Sequence, residues 1–360
     1  MEGFGWFTYE TMRRIVLQNP EHDFIFFFDR PYDESFIFAK NVTPVVVSPP
    51  ARHPILFRIW FDYSLPRFFK KYKCEAFISP DGYLSLRTSI PQLAVIHDLN
   101  FEHNPEDLPK AHRQYYRSFF PKFAKKASRI VTVSAFSKDD IIKTYRVSPD
   151  KIDVVYNGVS ADFKPISDAE ITAVQRNYTA GHSYLLFVGA LHKRKNLQRL
   201  VEAYHELIKE KRIQQHLLIV GETMWKNQAI KIPKELKDFI HFTGHLDTTN
   251  LAKVTAAADL LCFVSYFEGF GIPIIEAMKS GVPVLAGNLT ALPEVGGDAA
   301  FYCDPYSVDS IKEGILHVLD DPTLRFTMIE KGFSRAEKFN WDKTAQGLWN
   351  SFEKMISQKK

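Results

Sequence analysis

Twelve short apolar runs, rich in β-branched and aromatic residues, recur along the chain with longer segments of helical periodicity between them. The first six are FIFFF (24–28), PVVV (44–47), AFI (76–78), LAVI (93–96), IVTV (130–133) and DVV (153–155). After a polar stretch they resume as YLLFV (184–188), HLLIV (216–220), FIHFT (239–243), DLLCFV (259–264), VPVLA (282–286) and AFY (300–302). Runs this uniformly apolar need cover on both faces, a condition met in a parallel sheet with helices on each side. The segments between them are helical in spacing. In NLQRLVEAYHELIKEK (196–211), Leu197, Leu200, Val201, Tyr204 and Leu207 form one stripe, with Asn196 as the expected N-cap. Strand–helix alternation twice over predicts an α/β protein of two doubly wound, Rossmann-like domains.

The polar stretch 164–182 sets the expected boundary: an N-terminal domain over 1–165, a C-terminal domain over 166–340, and a terminal helix over 341–360 packing back towards the first domain. The opening is unusual. A doubly wound domain starts with a buried strand, but here a glycine turn, GFGW (3–6), leads directly into a helical stretch, TYETMRRIVLQ (8–18). The first strand is expected to be missing, either because the numbered chain starts downstream of the true start or because the domain lacks it.

The 360 residues, 45% hydrophobic and 24% charged, suffice for two cores. No run of 18 or more apolar residues predicts a membrane span, and the first residues show no secretory leader. Cys74, Cys262 and Cys303 lie far apart without metal-like spacing, which fits a reducing cytoplasm. A formal charge of +4 is too mild for a nucleic-acid binder.

Three stretches carry chemistry. In EGFGIPIIEAMKSG (268–281) a buried strand ends just before a glycine turn, and a helix starts near Ile272 with Pro273 in its first turn. Backbone N–H groups of Phe270, Gly271 and Ile272 at a helix N-terminus suit a phosphate, and Glu268 and Glu276 can accept from sugar hydroxyls. The same residues also fit a plain strand–turn–helix with acids complementing the dipole. In FVGALHKRKNLQRL (187–200), four cationic or potentially cationic residues, His192, Lys193, Arg194 and Lys195, precede a helix. That placement opposes the dipole unless an anion is bound; the alternative is a solvated basic loop. In LAVIHDLNF (93–101), His97 and Asp98 follow a buried strand, either as site residues or as a solvated turn.

Together the pieces GFGWFTYE (3–10), IHDLNF (96–101), IVTVSAFSKDDI (130–141), KIDVVYNGV (151–159), FVGALHKRKNL (187–197), EGFGIPIIEAMKSGVPV (268–284) and LPEVGGDAAFYCDP (292–305) resemble the retaining glycosyltransferases of family 4, which include many bacterial mannosyltransferases. The resemblance implies a GT-B fold, two Rossmann-like domains facing across a cleft. It implies that Glu268 contacts the donor sugar, that Phe270, Gly271 and Ile272 offer backbone N–H groups to sugar or diphosphate, and that Glu276 binds the ribose. Arg194 and Lys195 would neutralise the diphosphate leaving group. His97 would sit beside the donor sugar from the other domain, and Gly5 would line the cleft near the diphosphate. Many relatives carry an arginine at the position of Ala190, so here the leaving group would rely more on Arg194 and Lys195. The expected donor is GDP-mannose, alternatively a UDP-sugar, used without a metal or other cofactor. The expected acceptor is a glycan or a lipid-linked glycan in surface polysaccharide synthesis. A nucleotide-sugar epimerase on the same fold and a non-catalytic glycan-binding protein are the alternatives.

Two stretches are basic and aromatic. Residues 110–129 hold seven Lys or Arg, five Tyr or Phe and no acid, and residues 52–73 are similar with one acid. They predict either an anionic membrane surface as partner, at the inner face of the membrane, or helices with aromatics towards the core and lysines towards water.

Overall fold

The computed structural model describes residues 3–222 and 230–357. The chain falls into two compact units, residues 1–158 with 341–360, and residues 159–340. The division lies ahead of the expected boundary at 165. The polar stretch expected to hold the boundary is mostly helix: Ser167 and Glu170 form a reciprocal capping box that starts Asp168–Thr179, in which Val174 is buried.

In the first unit the order is α1 (Gly3–Gln18), β1 (Phe24–Phe28), β2 (Val42–Val46), α2 (Pro54–Ile59), a π-helical turn (Trp60–Ser64), α3 (Leu65–Lys71), β3 (Phe77–Ser79), β4 (Gln92–Val95), α4 (Asn100–His103), α5 (Lys110–Lys126), β5 (Arg129–Thr132), α6 (Ala135–Tyr145) and β6 (Ile152–Val154). All pairings are parallel, but they form two sheets, β1–β2 and β3–β4–β5–β6. Among the described residues no strand joins β1 to β3. The segment GFGW is not a turn: α1 starts at Gly3, so Gly5 lies within its first turns. Burial of Phe7, Thr11 and Ile15, at i, i+4 and i+8, holds this helix and outweighs the cost of about 1 kcal/mol for each glycine.

The second unit contains α7 (Asp168–Thr179), β7 (Tyr184–Val188), α8 (Leu197–Lys209), β8 (His216–Val220), β9 (Ile240–Gly244), α9 (Thr248–Ala256), β10 (Leu260–Phe263), α10 (Ile272–Lys279), β11 (Val284–Gly287), α11 (Leu292–Gly296), β12 (Phe301–Cys303), α12 (Val308–Asp320) and α13 (Pro322–Ala336). Its six parallel strands run in the order β12–β11–β10–β7–β8–β9. The chain winds outward from β7 to β9, then returns to place β10 on the other side of β7. The β7/β10 junction is therefore the point where strand order reverses, and outside it an open α/β sheet has its crevice. Every residue of the expected α8 stripe is buried. Asn196, however, is left-handed at φ 61° and makes no side-chain cap.

The last helix, α14 (Trp341–Ser357), belongs to the first unit. Asp342 accepts from Arg14 Nε at 2.6 Å, Thr344 Oγ1 donates to Tyr156 O at 2.7 Å, and the Trp349 ring meets His22 edge-on.

Candidate active site

In the second unit the loops following β7 and β10 are tied together by backbone and side-chain hydrogen bonds. Tyr266 N donates to Arg194 O at 3.0 Å, and Arg194 Nη1 donates to Phe267 O at 3.1 Å. Asn196 Nδ2 donates to Val264 O and Pro305 O, and its Oδ1 accepts from Arg199 Nη1 at 2.8 Å, so the side-chain oxygen that would cap the helix is turned to another donor. The consequence is a buried three-charge cluster. Glu268, 6% exposed, receives Arg194 Nη1 on Oε2 at 2.6 Å and lies 2.7 Å from Lys195 Nζ at Oε1. Burial alone would raise the Glu268 pKa, but the two cations outweigh it and pull it down to about 2. Lys195 also lies over the Phe263 ring at 4.7 Å. The four-residue basic loop is thus not simply solvated: His192 and Lys195 are buried, and the cations at 194 and 195 have found an internal anion.

Beside this cluster, Gly271 adopts φ +107°, and a Cβ there would lie 2.9 Å from Leu292 Cδ2, so the turn needs glycine. Phe270 is buried against Phe339, leaving its backbone as the part that can meet a ligand. Ile272 opens α10; Pro273 has no N–H and Ile274 N donates to Gly271 O at 3.0 Å, so the Ile272 N–H is the one at the helix start left to face a ligand together with the loop backbone. Glu276 is half-buried one turn into α10, and its carboxyl group pairs with no described residue. Burial pushes it up to about 8. Thr290, which sequence reasoning missed, accepts from Glu268 N at 3.1 Å while held left-handed at φ 59°. Its position in an ordinary-looking NLTAL segment carries no signal.

The ends of β7 and β8 approach so closely that a Cβ on Gly221, at φ +142°, would lie 2.0 Å from Gly189 O. Gly221→Ala is expected to destabilise the second unit by about 3 kcal/mol or more, read from denaturant unfolding, and to misplace the β7 loop.

In the first unit, His97 follows β4. Its Nε2 lies 2.8 Å from Pro80 O, which can only accept, so Nε2 carries the proton. Burial lowers its pKa, keeping the ring neutral. The Phe7 ring meets it edge-on. His97 lines a cavity of about 550 Å³, together with Phe4, Asp29, Arg30, Asp81, Asp98 and aromatic rings including Tyr83, Phe101 and Tyr116. Asp29 accepts from Ala51 N and pairs with Arg30, which help hold its pKa below the usual range, whereas burial raises that of Asp81. The sequence reading passed over Asp29 and Asp81, although Asp29–Arg30 directly follows the apolar strand β1 and the strand-end rule applied to His97 would have found it. Gly5 lies in α1, next to Phe4 of the cavity lining.

Residues 2–163 match the family model described as Glycosyltransferase Family 4, and residues 171–335 that described as Glycosyl transferases group 1. The chain belongs to the family 4 glycosyltransferases. This glycosyltransferase is 28% identical to the O-antigen chain mannosyltransferase B of Escherichia coli, over 98% of this chain and 96% of that protein. It is 31% identical to the O-antigen chain mannosyltransferase RfbU of Salmonella typhimurium, over 65% of this chain and 63% of that protein. Two solved structures share its fold: a sucrose-phosphate synthase from Thermosynechococcus elongatus (18% identity, TM-score 0.78, covering 96% of this chain and 92% of that one) and WaaG, a glycosyltransferase involved in lipopolysaccharide biosynthesis (18% identity, TM-score 0.72, covering 94% of each). The glycosyltransferase therefore has the GT-B architecture of two Rossmann-like units.

Proposed function

We propose that this glycosyltransferase moves a mannosyl group, with retention, from GDP-mannose to a glycan or lipid-linked acceptor during surface polysaccharide synthesis. The observation that carries the donor assignment is the convergence of Arg194 and Lys195 on Glu268 beside the α10 N-terminus, at the reversal point of the sheet. Breaking a sugar–diphosphate bond places negative charge on the departing phosphate. Two fixed cations and a helix N-terminus stabilise that charge without further rearrangement. In this reading Glu268 turns to the sugar hydroxyls, the Phe270–Ile272 backbone meets the phosphates, and Glu276 receives the ribose hydroxyls. Retention follows from attack by the acceptor on the face the diphosphate leaves, with the leaving phosphate taking the acceptor proton. Mannose is favoured by the names of the relatives. The first unit's aromatic, carboxylate-bearing cavity suits an acceptor sugar, whose apolar face stacks on rings while its hydroxyls donate to Asp29 and Asp81.

Thermal shift with GDP, UDP and ADP, each with its sugar form, tests the donor, because selective binding stabilises the fold by mass action. Selective stabilisation by GDP-mannose and its slow hydrolysis to GDP without acceptor are expected. Selectivity for a UDP-sugar would overturn the mannosyl donor alone. No response to any nucleotide sugar would overturn the site assignment.

A further inference from the structure

The loop after β10 carries Glu268 between two neighbours, because β10 lies between β7 and β11 in the sheet. On one side the β7 loop holds residues 266 and 267 through Arg194. On the other side the β11 loop holds residue 268 itself. Glu268 N donates to Thr290 Oγ1 at 3.1 Å, and Ala291 N donates to Glu268 O at 3.4 Å. The two loops are closely packed along their length. A Cβ on Gly287 would lie 2.6 Å from Ser265 O, and Leu292 fills the space that a Cβ on Gly271 would need.

Thr290 is an uncommon residue for its backbone. At φ 59° it is left-handed, a conformation that a β-branched side chain seldom adopts and that glycine or asparagine would hold at less cost. Glycine would lack the hydroxyl. Thr290 Oγ1 donates its single proton to Leu289 O at 2.7 Å, which leaves the oxygen as the acceptor for Glu268 N. A residue that must donate on one side and accept on the other can be replaced here only by serine. Backbone strain of this kind persists where the surroundings over-determine it, and it collects at functional sites.

We propose that Thr290 is a positioning residue for sugar transfer: its hydroxyl fixes the pivot from which the Glu268 carboxylate leaves Arg194 and Lys195 and reaches the donor sugar. This rests on the assignment of Glu268 to the sugar hydroxyls. To make that exchange the carboxylate gives up two cations by turning about its own side-chain torsions. A fixed backbone restricts the movement to one arc. A loose one spreads the end points, and a misplacement of about 1 Å can cost ~10²-fold in rate. Thr290 acts through Glu268, so the chemical step should suffer while nucleotide affinity holds.

Thr290→Ala is expected to lower kcat roughly tenfold or more, for transfer and for hydrolysis of GDP-mannose, or of a UDP-sugar if thermal shift selects one. The Kd for the nucleoside diphosphate should stay within about twofold of the wild-type value. Thr290→Ser keeps the hydroxyl and should recover most of the rate. Thr290→Gly relieves the backbone without restoring the hydroxyl. It should resist denaturant at least as well as the Ala variant and be as slow, whereas a purely structural role would make it the faster of the two. In a Glu268→Gln background, itself expected to be slow, Thr290→Ala should add no more than about a twofold loss, because no carboxylate is left to aim. A normal rate in Thr290→Ala beside a slow Glu268→Gln would overturn this proposal and leave the donor assignment standing. So would a Ser variant as slow as Ala, a loss of nucleotide affinity matching the loss of rate, or full additivity in the double variant. Normal turnover in Glu268→Gln would overturn the sugar assignment of Glu268 and this proposal with it.

Discussion

Lys195→Ala is expected to lower sugar transfer roughly 10²–10³-fold, the effect of removing one preorganised charge from a developing anion. Lys195 is 9% exposed, and its ammonium lies 2.7 Å from Glu268. Its loss leaves Arg194 to hold Glu268 at 2.6 Å, so the carboxylate stays ionised and the fold survives, at a cost of about 1–3 kcal/mol. The measurement is a steady-state rate alongside a denaturation curve. A variant that stays folded and transfers sugar at close to the normal rate would remove Lys195 from the reaction. Lys195→Arg is expected to recover only part of the rate, because a planar fork cannot reproduce the ammonium's position between Glu268 and the Phe263 ring.

The second large effect is a pH dependence centred on Glu276. With its pKa raised to about 8, this carboxyl group holds a proton at pH 7 in the free protein. Ribose hydroxyls donate to the ionised form, so nucleotide binding should expel the proton and tighten as pH rises towards 8, levelling off above it. Calorimetry in buffers of different ionisation enthalpy would detect the proton release. Glu276→Gln should bind more weakly at high pH and with an affinity that no longer changes across this range. Stability runs the other way. Because the folded pKa lies above the ordinary value of 4.5, the contribution of Glu276 is complete below about pH 4.5 and is lost as pH rises through 8. The Gln variant should therefore be the more stable protein in alkaline solution, by an amount of the order of a few kcal/mol. Wild-type affinity that stays flat from acid to alkaline pH would overturn the assignment.

The twelve strands were legible as apolar runs, most plainly the central ones such as YLLFV, where every residue is buried. The α8 stripe was legible for the same reason at helical spacing. What failed were readings in which local chemistry was overridden by distant partners. Asn196 is an N-cap residue type, but distant partners hold it in another pose: its Nδ2 serves carbonyls 68 and 109 residues away, its Oδ1 faces Arg199, and its backbone is left-handed. Gly3 and Gly5 look like a turn, but the buried face of α1 decides. The pairing of Arg194 and Lys195 with Glu268 was invisible for a topological reason. It depends on β7 lying next to β10, and two strands intervene in the sequence. Sequence reasoning assigned both partners to a ligand without seeing that they neutralise each other in its absence.

The placement of α14 imposes an order in time. This helix completes the first unit by covering α1, yet it leaves the ribosome after every residue of the second unit. At about 5–20 residues per second, the first unit waits roughly 10–40 s for its last piece. Throughout that interval the second unit, whose sheet needs nothing from residues beyond 340, can finish folding. The nascent first unit meanwhile holds the surface for Trp341, Leu348 and Trp349 unoccupied, so a chain that stops after the second unit would carry that apolar surface uncovered.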